Sequence, residues 1–171
     1  QKLIEETPCP ELPYLLRMKM GIAAAEIAMA IRCDSLMTVE FLYCLDSREF
    51  FFNEVNCRLQ VEHGITELAT GIDIVREQIR IAAGEPLNYS QEDVRLQAHA
   101  IECRITAEDP ANNFLPCPGR VTRLHLPHGL GVRVDEGLVE GSEVSLHYDP
   151  MLFKVLAWGR NRDEAVARMR R

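Results

Sequence analysis

Five polar residues alternate with apolar residues or cysteine between positions 54 and 62, and their types are those that bind metal ions and anions. They are Glu54, Asn56, Arg58, Gln60 and Glu62. Because successive side chains of a β-strand point to opposite faces, a strand over these residues presents all five on one side. The alternation therefore predicts a strand with one apolar face in a core and one polar face, which is either solvated or a functional site.

The chemistry of the first two residues suits a divalent metal ion. Carboxylate and amide oxygens are hard ligands, so Glu54 and Asn56 can share Mg²⁺ with the phosphates of a substrate. Glu40 lies within the apolar run of residues 39–42 and is a candidate third ligand, because a buried acid there needs a partner. An antiparallel pairing through a turn at Asp46 would bring Glu40 beside Glu54.

The other polar residues of this stretch suit an anionic substrate. The planar guanidinium of Arg58 matches a carboxylate or a phosphate, and Glu62 can act as a base if Arg58 tunes its field. Three phenylalanines at residues 50–52 come directly before the stretch, and such a run is costly to leave near water. Their position favours a functional face over a solvated one. His63 would point away from Glu62 and is interpreted as structural.

Hydrophobic periodicity places this stretch between two helices. The alanine-rich segment 14–33 predicts a helix, and β-branched and aromatic residues predict strands over 36–45 and 50–62. Apolar spacing predicts a second helix over 65–83, closed by Gly84 and Pro86, with a candidate break at residues 71–73.

The remainder of the chain has a different character. Short strand-like runs separated by Gly and Pro cover residues 99–105, 119–126, 132–134 and 151–158. They predict a β-rich lobe that begins near residues 91–95. We therefore expect an α+β protein with one domain over residues 1–92 and another over 93–171.

Composition excludes several classes of function. The formal net charge of −7 lacks the basic footprint of a nucleic-acid-binding protein, and no 18-residue apolar run is present to span a membrane. None of the six cysteines forms a Cys-x-x-Cys pair or has a His at zinc-ligand spacing, which favours free thiols in a reducing cytoplasm. The first residues show neither the basic nor the hydrophobic region of a signal peptide, and we expect the chain to be a fragment of a longer protein.

The polar stretch also belongs to a longer signature. Residues 54–63, which read Glu-Val-Asn-Cys-Arg-Leu-Gln-Val-Glu-His, resemble the E-x-N-x-R-x-Q-V-E-H motif of biotin carboxylases. Further matching segments are residues 66–68, 71–73, 81–84, 100–105, 107–110, 114–116, 148–151 and 161–163. The resemblance covers essentially the whole chain. One departure is Gly64, where many relatives have proline.

The resemblance implies a role for each candidate residue. The metal ligands for Mg²⁺ or Mn²⁺ at the ATP phosphates would be Glu40, Glu54 and Asn56. The bicarbonate pocket would be formed by Lys2, Arg58, Gln60, the backbone amide of Val61, and Glu62. Arg104 would contact the ureido oxygen of biotin, and Leu42 would contact adenine. Without the resemblance, Arg104 would be interpreted as one half of a surface ion pair with Glu102.

The resemblance also implies a reaction and an architecture. Glu62 would deprotonate bicarbonate, which attacks the γ-phosphate of ATP to give carboxyphosphate. Breakdown to CO₂ and phosphate would follow, and phosphate would take the N1 proton of biotin while Arg58 and Arg104 stabilise the ureido oxygen. The chain would contain the C-terminal half of an ATP-grasp domain and a biotin carboxylase C-terminal domain truncated at its end.

The family context predicts three partners. They are a biotin carboxyl carrier protein or domain, a carboxyltransferase component, and a second copy of the parent in a homodimer. The glycine-rich lid over ATP precedes residue 1 in this family, so the isolated chain is expected to be inactive. A transferase component decides whether acetyl-CoA, propionyl-CoA, pyruvate, urea or another acceptor is carboxylated. Two alternatives stay open, namely a non-catalytic dimerisation or carrier-docking module and an ATP-grasp ligase of the carbamoyl phosphate synthetase type.

Overall fold

The structure is a computed structural model that describes residues 2–171. Its helices and antiparallel sheets confirm the predicted α+β class. The helices are α1 (Tyr14–Ala30), α2 (His63–Thr70), α3 (Ile74–Ala82) and α4 (Arg162–Arg170). The strands are β1 (Ile4–Thr7), β2 (Thr38–Tyr43), β3 (Phe50–Asn56), β4 (His99–Thr106), β5 (Glu108–Asp109), β6 (Leu115–Pro116), β7 (Gly119–Arg120), β8 (Val132–Glu136), β9 (Glu143–Val144) and β10 (Met151–Gly159).

The chain divides into two compact units. One unit comprises residues 7–97, and the other combines residues 2–6 with residues 98–171. The second unit therefore includes β1, which joins a sheet with strands that follow about a hundred residues later. The boundary that the sequence predicts between residues 92 and 93 stays a prediction.

The first unit contains α1, the hairpin β2–β3, and the helices α2 and α3. The predicted helix over 65–83 is broken at residues 71–73, at the candidate position. Gly71 ends α2 in the left-handed conformation with φ of 77°, which glycine adopts without strain. The side chain of Asp73 then accepts a hydrogen bond from the backbone of Arg76 at 2.8 Å and starts α3.

The predicted strand over 50–62 is too long. Strand β3 ends at Asn56, and residues 57–62 form an irregular segment that turns into α2. Backbone hydrogen bonds from His63 to Gln60 and from Ile65 to Glu62 close this turn. The alternation of polar and apolar residues beyond Asn56 is thus not strand alternation, since these residues turn into α2.

The second unit is built on a four-stranded sheet in the order β1-β4-β10-β8, with β10 antiparallel to both β4 and β8. Helix α4 packs on β10 and β4. The buried apolar residues of this unit are Ala100, Ile101, Leu156, Ala157 and Ala165. Gly159 is required where α4 meets β10, since a Cβ there would lie 2.7 Å from the Cβ of Glu164 and 2.8 Å from the backbone nitrogen of Ala165.

The other predicted strands of this unit differ in length from the observed ones. Residues 99–106, 132–136 and 151–159 are strands close to the predicted positions. The predicted strand over 119–126 is reduced to Gly119–Arg120, which pairs with Glu143–Val144. Beyond it, the backbone nitrogen of Leu124 donates to the side chain of Glu140 at 3.1 Å instead of to a strand.

Candidate functional site

The hairpin β2–β3 brings the three candidate metal ligands together. Its register sets Glu40 opposite Glu54 and Thr38 opposite Asn56. Directly opposed residues of an antiparallel pair share one face of the sheet. The predicted pairing of Glu40 with Glu54 is therefore confirmed, and Asn56 lies on the same face two residues further along β3.

The side chain of Asn56 connects the two carboxylates. Its Nδ2 donates to Glu54 Oε1 at 3.0 Å and to Glu40 Oε1 at 3.4 Å. An amide NH₂ group thus lies where two negative charges face each other. Glu40 and Asn56 are partly buried, whereas Glu54 is exposed, so the cluster is open to solvent on one side.

The donor set of this cluster fits a hard divalent cation. Two carboxylates and one amide supply oxygen ligands of the kind that Mg²⁺ and Mn²⁺ prefer. As oriented here, Asn56 Oδ1 accepts a hydrogen bond from Arg58, so the amide must turn over before Oδ1 can become a ligand. Among residues 2–171, no group of three or more His, Cys, Asp and Glu side chains is placed to hold a metal ion.

Arg58 continues the row of polar side chains although it lies outside the strand. Its Nη2 donates to Asn56 Oδ1 at 3.3 Å, and its Nη1 donates to Gln60 Oε1 at 3.5 Å and to the carbonyl of Leu59 at 3.2 Å. The side chain of Gln60 is buried, and its Nε2 has no hydrogen-bond partner in the described part of the chain. A buried donor without an acceptor is costly and is a position where a bound anion would be favourable.

The start of α2 carries the next two candidates, Val61 and Glu62. Glu62 is the N-cap residue of the helix and makes no side-chain capping hydrogen bond. As the N-cap residue it lies at the positive end of the helix, where negative charge is stabilised. His63 is the first residue of the helix, and its Nδ1 lies 2.9 Å from the carbonyl oxygen of Gln60, which agrees with a structural role.

The other candidates belong to different places. Leu42 lies on β2, two residues after Glu40, with 62% of its surface exposed. Lys2 and Arg104 both lie in the second unit. Lys2 is exposed, and Arg104 Nε donates to Glu5 Oε1 at 2.7 Å on the neighbouring strand β1.

The interpretation of Arg104 and Glu102 as a pair at the surface is wrong, because Glu102 does not lie at the surface. Glu102 is fully buried and lies 3.5 Å from Lys154 Nζ, which also approaches Asp135 at 3.4 Å. Burial raises the pKa of Glu102 to about 7, and the nearby charge of Lys154 only partly opposes this shift. The three strands that surround Glu102 are distant in sequence, so composition and spacing gave no signal of this buried group.

Comparison with known proteins agrees with the motif. The family model described as the carbamoyl-phosphate synthase L chain, ATP binding domain, matches residues 1–90, and the model of the biotin carboxylase C-terminal domain matches residues 102–171. The chain belongs to the biotin carboxylase family. The second model covers the lobe that carries Arg104, which a carbamoyl phosphate synthetase type of ligase was not expected to share.

Several relatives match this chain over all or nearly all of its length. Biotin carboxylase 1 of Bacillus subtilis is 47% identical over 171 residues, and a biotin carboxylase of Haemophilus influenzae is 47% identical over 169 residues. These matches cover 100% and 99% of this chain but only 38% and 37% of the relatives. The chain thus spans little more than a third of their length.

Solved structures of biotin carboxylases have the same fold. The biotin carboxylase domain dimer of Hydrogenobacter thermophilus 2-oxoglutarate carboxylase, solved with MgADP and bicarbonate, has a TM-score of 0.96 and 43% identity. It matches 99% of this chain, which covers 37% of that one. A Campylobacter jejuni biotin carboxylase, solved as a beta-gamma-ATP complex, has a TM-score of 0.92 and 41% identity; the match covers 99% of this chain and 37% of that one.

Proposed function

We propose that this chain is part of a longer biotin carboxylase, the parent enzyme, which uses ATP and bicarbonate to carboxylate biotin. The observation that carries the proposal is the continuous row of hydrogen-bonded side chains from the hairpin β2–β3 to Gln60. Its members are Glu40, Glu54, Asn56, Arg58 and Gln60. Such a row offers oxygen ligands at one end and donors for an anion at the other, as a reaction between a metal-bound triphosphate and bicarbonate requires.

The oxygen end of the row is proposed to hold Mg²⁺, with Mn²⁺ as a substitute. The ligands are Glu40, Glu54 and Asn56, after rotation of the Asn56 amide. A divalent cation at this point would neutralise charge on the β- and γ-phosphates of ATP. The hydrogen bond from Arg58 to Asn56 Oδ1 opposes that rotation, so metal binding and the release of Arg58 are proposed to be linked.

The donor end is proposed to bind bicarbonate. Arg58, the free Nε2 donor of Gln60 and the backbone amide of Val61 supply hydrogen bonds, and Lys2 is assigned to the same substrate from the family resemblance. Glu62 takes the proton of bicarbonate. A bicarbonate oxygen then forms a bond to the γ-phosphorus as the bond to ADP breaks, which yields carboxyphosphate.

Arg104 is proposed to act on biotin. Carboxyphosphate breaks down to CO₂ and phosphate, phosphate takes the N1 proton of biotin, and N1 attacks CO₂. Negative charge develops on the ureido oxygen, and an arginine stabilises it through charged hydrogen bonds. Arg104 has this chemistry, and its present pairing with Glu5 keeps its guanidinium ordered.

The parent enzyme is proposed to be cytoplasmic and to work with a biotin carboxyl carrier and a carboxyltransferase. Residues 2–171 contain no helix that is both long and apolar enough to cross a membrane. Relatives include a complete multifunctional pyruvate carboxylase from Rhizobium etli and a biotin carboxylase domain dimer. A homodimer of the parent enzyme is proposed on that ground.

The test is transfer of label from bicarbonate to free biotin by the parent enzyme. ATP cleavage that depends on bicarbonate, together with ¹⁴C in an acid-labile biotin adduct, is the expected result. ATP cleavage with neither dependence on bicarbonate nor labelled biotin would contradict the proposal. The isolated 171-residue chain is expected to show neither activity, and biotin-stimulated phosphate release from ATP by that chain would contradict this part of the proposal.

A further inference from the structure

Two large apolar side chains lie exposed on the same sheet face as the carboxylate cluster. Leu42 and Phe51 are directly opposed in the register of β2 and β3, with 62% and 55% of their surfaces exposed. Leu42 follows Glu40 by two residues on a regular strand, so the two side chains share a face. Leu42 and Phe51 together form what we call the apolar step, about 7 Å along the strand from Glu40.

An irregularity in β3 places Phe51 on this face. The register shifts between Glu40 and Phe41, so that β3 has one extra residue, Asn53, between the residues opposite these two. Without this bulge, Phe51 would alternate onto the face opposite Glu54, because the two are separated by an odd number of positions. Bulges are frequent beside functional sites, where they redirect a side chain.

The neighbouring phenylalanines lie on the other face. Phe52 pairs with Phe41, and Phe41 contacts Phe50 edge to face with ring centroids 5.2 Å apart. Phe52 is as exposed as Phe51, at 57%. The two adjacent phenylalanines therefore differ mainly in which face they occupy, and only the face of Phe51 carries the oxygen ligands.

A ligand that covers this face must be polar and metal-binding at one end and flat and apolar at the other. A nucleoside triphosphate has this order, with phosphates at the carboxylate cluster and a purine base on the apolar step. Resting on the proposed function, we propose that Phe51 is a further nucleotide-binding residue, which stacks with the purine base and forms one wall of its pocket together with Leu42. Phe51 acts on the base and not on the triphosphate.

The experiment compares Phe51→Ala with Phe52→Ala in the parent enzyme. Loss of aromatic stacking on the base should raise the KM for ATP about tenfold or more in Phe51→Ala. The inhibition constant of ribose 5-triphosphate, which lacks the base, should stay within about twofold of the wild type. Phe52→Ala, on the opposite face, should leave both values within about twofold.

Two results would overturn the inference. One is an equal rise in the KM for ATP in both variants, which would indicate a general effect on the hairpin. The other is an equal loss of affinity for ribose 5-triphosphate and ATP in Phe51→Ala. Phe51→Leu provides a second variant that preserves apolar volume, and it should raise the KM for ATP less than Phe51→Ala. A larger rise in Phe51→Leu than in Phe51→Ala also contradicts stacking.

Glu54→Gln separates failure of this inference from failure of the proposed function. This variant removes one charged ligand and should weaken binding of ATP and of ribose 5-triphosphate alike in the presence of Mg²⁺. If it does so while Phe51→Ala behaves like the wild type, only the role of Phe51 is wrong. If Glu54→Gln has no effect on either ligand, the metal and nucleotide site itself is wrong.

Discussion

Glu40 and Glu54 face each other directly across the β2–β3 hairpin, and the amide nitrogen of Asn56 donates a hydrogen bond to each of them. Like charges directly opposed on a sheet destabilise it by some tenths of a kcal/mol up to about 1 kcal/mol. The NH₂ group of Asn56 offsets part of this repulsion. The hairpin therefore holds an arrangement that a bound cation would stabilise and that folding alone disfavours.

The first prediction follows from that repulsion. Glu54→Gln should raise the free energy of unfolding of the chain by about 0.5 kcal/mol in metal-free buffer, because one of the two opposed charges is removed. Added Mg²⁺ should stabilise the wild type more than the variant. Urea unfolding with EDTA and with Mg²⁺ measures both effects. Glu49→Gln, at the exposed turn of the same hairpin, is the matched control and should change neither.

The second prediction concerns the buried acid Glu102. Burial raises its pKa from 4.5 in the unfolded chain to about 7 in the folded one. Between these values the Glu102 carboxyl is ionised in the unfolded chain and protonated in the folded chain. The free energy of unfolding therefore falls as pH rises from about 4.5 to 7 and levels off above pH 7. The free energy of unfolding should fall by about 2–3 kcal/mol across this pH window.

Glu102→Gln tests this prediction, because it fills the same space without ionising. Urea unfolding at pH 5, 6 and 7 should show a wild-type stability that declines relative to the variant as pH rises. Lys154 retains Asp135 at 3.4 Å in the variant, so its charge stays paired. A wild type that gains stability relative to Glu102→Gln over this range would show that Glu102 is ionised throughout.

The sequence could predict the hairpin but not its end. A turn at residues 46–49 between two β-rich runs fixes the pairing of Glu40 with Glu54, because antiparallel partners are local in sequence. The predicted strand was extended to residue 62 because Arg58, Gln60 and Glu62 recur at every second position although they do not lie in a strand. Arg58 is held beside Asn56 by a hydrogen bond between their side chains, and the spacing of residues in the sequence cannot predict that bond.

The buried charges of the second unit could not be predicted for a different reason. Glu102 is buried by a sheet whose strands start at residues 4, 99, 132 and 151. Lys154 reaches Glu102 only because the register sets Leu156 opposite Glu102 and Lys154 opposite Arg104. Such long-range pairings depend on the whole fold, so local spacing could not show that Glu102 is buried or that Lys154 lies beside it.

The third prediction separates the two half-reactions of the parent enzyme at Arg104. Arg104→Met should reduce carboxylation of free biotin strongly while bicarbonate-dependent ATP cleavage is partly retained, since the arginine is proposed to act after ATP is cleaved. Parallel assays of phosphate release and biotin labelling measure this split. Arg162→Met is the matched control, because Arg162 pairs with Glu6 on the same strand that supplies Glu5. An equal effect of both variants would assign Arg104 to folding alone.

The last prediction concerns Glu62 as the base for bicarbonate. Glu62→Gln in the parent enzyme retains the shape of the side chain and removes the proton acceptor, so bicarbonate-dependent ATP cleavage and biotin carboxylation should both fall about 10²-fold or more.

The helix α2 should still form, because Glu62 makes no side-chain capping bond and the loss of its charge near the helix start costs about 0.3–1 kcal/mol. Thermal unfolding checks that cost. Glu67→Gln, five residues further along the chain in α2, should lose far less turnover, although its carboxylate accepts a hydrogen bond from Ile74 at 2.9 Å. Near-normal turnover in Glu62→Gln, or equal losses in both variants, would show that the carboxylate at the start of α2 is structural, and the base would then have to be sought elsewhere in the parent enzyme.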